Sequence, residues 1–92
     1  MKSTADWLDD LKAAYNLPSD YAIAKKLGIT QSEITAARKG RRDLSERLCF
    51  AIAELLDVNG VVVWASIKAA KTDSLKMRKD WEEVAEKLAA TA

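Results

Sequence analysis

The chain has 92 residues, 49% hydrophobic and 32% charged, with 15 Lys and Arg against 14 Asp and Glu for a net charge of +1. That supplies one modest core and leaves no length for a second, so a single domain is expected. The chain has no His and one Cys, no apolar run of about 18 residues and no secretion-signal pattern; this argues against a zinc centre, an intrachain disulfide and a membrane span, and a soluble, cytoplasmic protein is expected.

Ser3 or Thr4 opens a first helix, in which Trp7, Leu8, Leu11 and Tyr15 form one apolar face against Asp6, Asp9, Asp10 and Lys12. Asn16-Leu17-Pro18 ends it, Asn tolerating a left-handed turn and Pro forbidding continuation. Adjacent Asp9 and Asp10 point about 100° apart on a helix. With no other catalytic group near, they read as a solvated surface.

Ser19 to Gly40 then reads as two short helices joined by a tight turn. The first, about Asp20 to Leu27, takes Ser19 as N-cap, presents Ile23, Ala24 and Leu27 on one face and stops at Gly28. The second begins with the reciprocal capping box Thr30-x-x-Glu33, buries Ile34 and Ala37 and stops at Gly40. The small Ala24 lets the two helices cross closely while Ile29 and Ile34 lock the turn, which makes a helix-turn-helix. Packing leaves Gln31, Ser32, Thr35, Ala36 and Lys39 outside, with Glu33 and Arg38 on the flanks. Hydroxyls, an amide and a methyl of this size suit the edges of bases in the major groove.

Charge distribution agrees. Residues 25–47 carry Lys25, Lys26, Arg38, Lys39, Arg41, Arg42 and Arg47 against Glu33, Asp43 and Glu46, a net +4, whereas residues 1–24 are net −2 and residues 48–92 net −1. The excess is focused on the helix-turn-helix and the loop after it.

Ala24-x-x-Leu27-Gly28-Ile29-Thr30-Gln31-Ser32-x-Ile34-x-x-Ala37-x-x-Gly40 resembles the DNA-binding motif of the lambda-repressor-like (Cro/C1, XRE) family. The resemblance implies base contacts from Gln31, Ser32, Thr35 and Ala36, and phosphate contacts from Thr30, Arg38, Lys39, Arg41 and Arg42. Asp20 departs from it. Family members often carry there a Gln that anchors a phosphate and braces the base-reading Gln.

Arg41-Arg42 lies in the loop that runs along the DNA backbone in that family. Asp43-Leu44-Ser45-Glu46 resembles a further cap-box start with Asp43 as N-cap. Leu44, Leu48, Ile52, Leu55 and Leu56, helped by Phe50 and Ala51, predict an amphipathic fourth helix, with Cys49 a small buried hydrophobe. Asn59-Gly60 before Val61-Val62-Val63 is a hairpin signal without a second strand, so Asn59 is read as the N-cap of a fifth helix from Val61 to about Lys71, Trp64 packing on the core or on a partner. Thr72-Asp73-Ser74 interrupts the chain. Met77, Trp81, Val84 and Leu88 then form the apolar stripe of a sixth helix, which has to bury either against the domain's own core or against the same helix of a second chain, the second being favoured.

The expected fold is all-α: a five-helix lambda-repressor-like DNA-binding domain over residues 1–72, with its motif at about 19–40, and an additional C-terminal helix over 73–92 as a dimerisation element. The expected function is sequence-specific transcriptional repression, a homodimer binding palindromic double-stranded operator DNA through Met77, Trp81, Val84, Leu88 and Trp64 as its interface. Length and layout are similar to the short repressors of temperate and filamentous phages, which implies prophage silencing, lysogeny and superinfection immunity in a bacterial cell. No cofactor is needed and no enzyme is expected, since a phosphate-cradling glycine loop, a nucleophile-His pair and a metal cluster are all missing. Release from repression is expected through protein level or an antirepressor. An antitoxin with a toxin partner, and a helical interaction adaptor that does not bind DNA, are the alternatives.

Overall fold

The computed structural model describes residues 1–90, which form six helices and, among those residues, no strand. The last two residues of the 73–92 segment lie outside the described residues. Helix α1, Thr4–Ala14, starts at Ser3, whose hydroxyl accepts from the Asp6 amide while the Asp6 carboxylate accepts from the Ser3 amide. The Ser3 amide, the larger cause, and the Ser3 hydroxyl hydrogen-bond the Asp6 carboxylate and hold its pKa below the usual range. Tyr15 is not part of the buried face: it caps the helix end, half exposed, and its hydroxyl donates to the Leu55 carbonyl at 2.7 Å. Asn16 takes the left-handed backbone, φ 51°, that turns the chain toward Pro18.

Helices α2, Asp20–Leu27, and α3, Gln31–Arg38, follow at once, and α4 spans Glu46–Leu56. Ser45, not Asp43, is the N-cap of α4, its hydroxyl accepting from the Leu48 amide at 3.2 Å. A cap at Ser45 puts Leu44 just before the helix and Cys49 at its fourth position, the two places a hydrophobic staple uses, and both are buried in the core. Asp43 is thereby released to form an ion pair with Lys71. Phe50 also departs from expectation. It is 45% exposed, because its ring lies over Gly60 instead of turning inward.

Helix α5, Gly60–Lys71, is capped by Asn59 as expected, the side-chain oxygen accepting from the Val61 amide at 2.8 Å. Helix α6, Leu75–Ala90, begins after the Thr72–Ser74 break with the Ser74 hydroxyl accepting from the Met77 amide. The core gathers Leu8 and Leu11 from α1, Ile23 and Ala24 from α2, Ile34 and Ala37 from α3, Ile52 from α4, and Val63 and Ile67 from α5. Burial pushes the Cys49 thiol within it up to about 11, so this side chain is a protonated hydrophobe at neutral pH. Ala65, Ala69 and Ala85 are buried yet stand apart from that cluster. They mark where α6 packs along α5 within one chain, small side chains permitting a close approach.

One polar link crosses the core. The Trp7 indole N–H donates to the Ser66 hydroxyl at 2.7 Å, and that hydroxyl donates to the Val63 carbonyl at 3.0 Å, joining α1 to α5 without an unpaired group. Ser66→Ala leaves the indole N–H buried and unpaired and is expected to cost about 1–3 kcal/mol. Urea denaturation of Ser66→Ala, Trp7→Phe and the double variant checks this: the double is expected to lose less than the sum of the singles, since the shared bond is lost only once.

Candidate nucleic-acid interface

The turn between α2 and α3 is closed by backbone chemistry. Gly28 takes φ 72° with open space around it, so glycine serves the left-handed conformation and not a tight fit. The Ile29 amide returns to the Ala24 carbonyl at 2.9 Å, closing α2 just before α3 is capped. At that cap the Glu33 amide donates to the Thr30 hydroxyl at 3.2 Å and the Thr30 amide donates to the Glu33 carboxylate at 2.7 Å. Ile34 and Ala37 turn into the core, which fixes the opposite face outward.

Gln31, Ser32 and Thr35 are exposed on that face and Ala36 is half-buried between them. Gly40, φ 71°, bends the chain so that the Arg41 amide returns to the Ala36 carbonyl at 3.0 Å. Arg41 is thereby brought to the end of the helix, where it lines one shallow concavity with Gln31, Ser32, Thr35 and Ala36. Lys39 and Arg42 are exposed beside it. On α2, the Lys25 ammonium lies over the Tyr21 ring at 5.5 Å and the Lys26 ammonium over the Tyr15 ring at 4.2 Å, adding two cations to the same stretch of chain.

Two residues expected at phosphates have other commitments. The Thr30 hydroxyl is used in the cap. Arg38 is turned away from the exposed face: its Nε and Nη2 donate to the two Asp20 carboxylate oxygens at 2.9 and 3.0 Å, and Nη2 also meets Asp9 at 2.8 Å. Partial burial alone lowers the pKa of this guanidinium, but the bonds and charges of Asp20 and Asp9 outweigh that and hold it above its usual value. The cluster was invisible in sequence because its three members sit on three helices, and no local spacing links them. Asp20 was the only hint, as the position that departs from the resembling motif.

Among the described residues no group of His, Cys, Asp and Glu is placed to hold a metal ion. Nor is any helix among them long and apolar enough to cross a membrane.

Residues 19–62 match the helix-turn-helix family model, the type represented by XRE, Cro and C1 proteins. This segment belongs to that family. The matched residues take in α2, the turn, α3, the basic loop, α4 and the start of α5, with α1 and α6 added on either side. The family is one of DNA-binding transcription regulators and not of enzymes. Neither the curated proteins nor the solved structures contain a match to the chain.

The reciprocal cap at Thr30 and Glu33 generates a stability prediction. Thr30→Ala is expected to lower unfolding stability by about 0.5–2 kcal/mol, and Thr30→Ser to recover most of it. Thermal and urea denaturation measure this without any ligand.

Proposed function

We propose that this chain is a sequence-specific transcriptional repressor that binds palindromic operator DNA as a homodimer. The observation that carries the reading is the shared concavity of Gln31, Ser32, Thr35, Ala36 and Arg41, where groups able to meet base edges lie beside a cation able to meet phosphate. In this reading Gln31, Ser32, Thr35 and Ala36 face base edges, and Lys39, Arg41 and Arg42 neutralise phosphates and fix the register. Occupancy of the operator blocks polymerase, and no cofactor takes part. In this reading the protein is a prophage repressor acting in the bacterial cytoplasm, relieved by its own concentration or by an antirepressor.

Dimerisation is assigned to the surface shared by α5 and α6. Met77 and Val84 are exposed although α6 already packs along α5, while Trp81, Leu88 and Trp64 are half-buried. Met77 and Trp81 share a groove with Lys68 and Lys71, and the Lys68 ammonium lies 4.4 Å over the Trp64 ring. An apolar strip spread over two helices and left partly wet suits a second copy, whose two-fold axis would set two recognition helices about 34 Å apart on DNA.

Selection of bound duplexes from a random pool tests the reading and supplies the operator. Gln31→Ala is then expected to weaken operator binding by roughly 1–3 kcal/mol and relax choice at one or two base pairs per half-site, with scrambled DNA unaffected. Arg41→Ala should weaken both duplexes alike and lower the salt slope by about 1. Equal losses for Gln31→Ala on both duplexes would remove it from the reading role. For the dimer, Trp81→Ala is expected to sediment as a folded monomer and to lose about a hundredfold or more on the two-half-site operator. A dimer that survives both Trp81→Ala and Val84→Asp places the interface elsewhere.

A further inference from the structure

We propose that Arg38 is a positioning residue for sequence readout, a clamp that sets the tilt of α3 against α1 and α2 and does not itself contact DNA. The proposal rests on the DNA-binding reading above.

Helix α3 has eight residues and two buried ones, Ile34 and Ala37. Two small contacts in adjacent turns act as a pivot: they fix the depth of a short rod but leave rotation about the contact weakly opposed. The amino-terminal end is held to α2 by the tight turn, whose Ile29 amide donates to the Ala24 carbonyl at 2.9 Å. Arg38 ties the other. One guanidinium reaches both neighbouring helices, Asp20 at the start of α2 by two parallel bonds and Asp9 on α1 by a third contact of 2.8 Å. The Arg38 and Asp20 side chains are only 22% and 27% exposed, so water does little to loosen the pair. A planar fork on a carboxylate constrains direction as well as distance, which a Lys ammonium does not. Rotating α3 at this end would carry Thr35 and Ala36, one turn back, off the line of the base edges.

Arg38→Lys and the charge-conserving pair Asp20→Asn with Arg38→Met separate positioning from electrostatics. Each is titrated, over a salt series, against the operator selected with the unaltered chain and against a scrambled duplex, with helical content measured beside it. A positioning role predicts that both variants lose about ten- to a hundredfold on the operator, the worth of one base-pair contact, with scrambled binding and salt slope unchanged. Arg38→Lys keeping full operator preference would overturn it, since charge alone would then suffice. A fall in salt slope by about 1 with equal losses on both duplexes would make Arg38 a phosphate contact. Asp20→Asn alone gives a further check: tighter binding to both duplexes would mean that Asp20 withholds Arg38 from DNA, and would likewise overturn the clamp. Should the double variant unfold, Arg38→Lys decides. An unaltered chain that binds neither duplex defeats the DNA reading itself, a result distinct from all of these.

Discussion

An eight-residue helix makes too few internal hydrogen bonds to persist in water, and everything else in this chain can be seen as the means of keeping α3 helical with one face bare. The inward face is small, Ile34 and Ala37, so the helix sits close to its neighbours and exposes most of its circumference. Burial of these two side chains contributes at most about 3 kcal/mol, on the scale of about 25 cal/mol per Å². Against the entropy of ordering eight residues, at about 1–2 kcal/mol each for backbone alone, that is insufficient. The remainder has to come from termini fixed by side chains and from a scaffold already folded beneath.

That scaffold is bound together by contacts distant in sequence. Leu8 and Leu11 on α1 share one core with Ile23 and Ile34 of the motif helices and with Ile52 and Val63 of α4 and α5. The Trp7–Ser66–Val63 chain joins α1 to α5, and Tyr15 joins the end of α1 to the end of α4 through the Leu55 carbonyl. The family segment alone therefore carries only part of its own support. α1 and the later turns of α5 lie outside residues 19–62 yet supply core side chains, and Lys71, also outside, pairs with Asp43 in the basic loop. Loop and scaffold are coupled through that pair: Asp43 fixes one end of a segment whose other end is the Ala36–Arg41 backbone bond.

What the sequence made legible is what local chemistry determines. Periodicity marks α1, α4 and α6, the fifth helix follows from an Asn-Gly signal with no second strand, and Thr30–Glu33, Ser19, Asn59, Gly28 and Gly40 mark ends that depend on a few neighbouring atoms. Local chemistry is ambiguous where two local solutions compete. Asp43 and Ser45 are both good caps, and Ser45 prevails because only that start puts Leu44 and Cys49 on the same buried side. Phe50 lies in an apolar run, but its choice between the core and the Gly60 backbone depends on where α5 arrives. Of the candidate site, the exposed residues of α3 follow from subtraction once Ile34 and Ala37 are assigned inward. Arg38 could not be assigned that way, since its partners are fixed by tertiary packing.

An ionic clamp does what an apolar one could not. A hydrophobic side chain at position 38 would fix depth again, as Ile34 and Ala37 already do, and would leave direction free. Arg never loses its charge near neutral pH, and the bonds to Asp20 and Asp9 raise its pKa further, so proton loss does not weaken the clamp in the physiological range. Its cost is modest because the cluster is partly exposed: Asp9 stays 62% in water, and no buried side-chain polar atom lacks a partner among the described residues. Two carboxylates on one guanidinium leave a net negative charge at the Asp9–Asp20 cluster, while Arg41 and Arg42 lie exposed in the loop after α3. Under the proposed DNA-binding reading, such an arrangement would discourage phosphate at the Asp20 edge and draw it to Arg41 and Arg42.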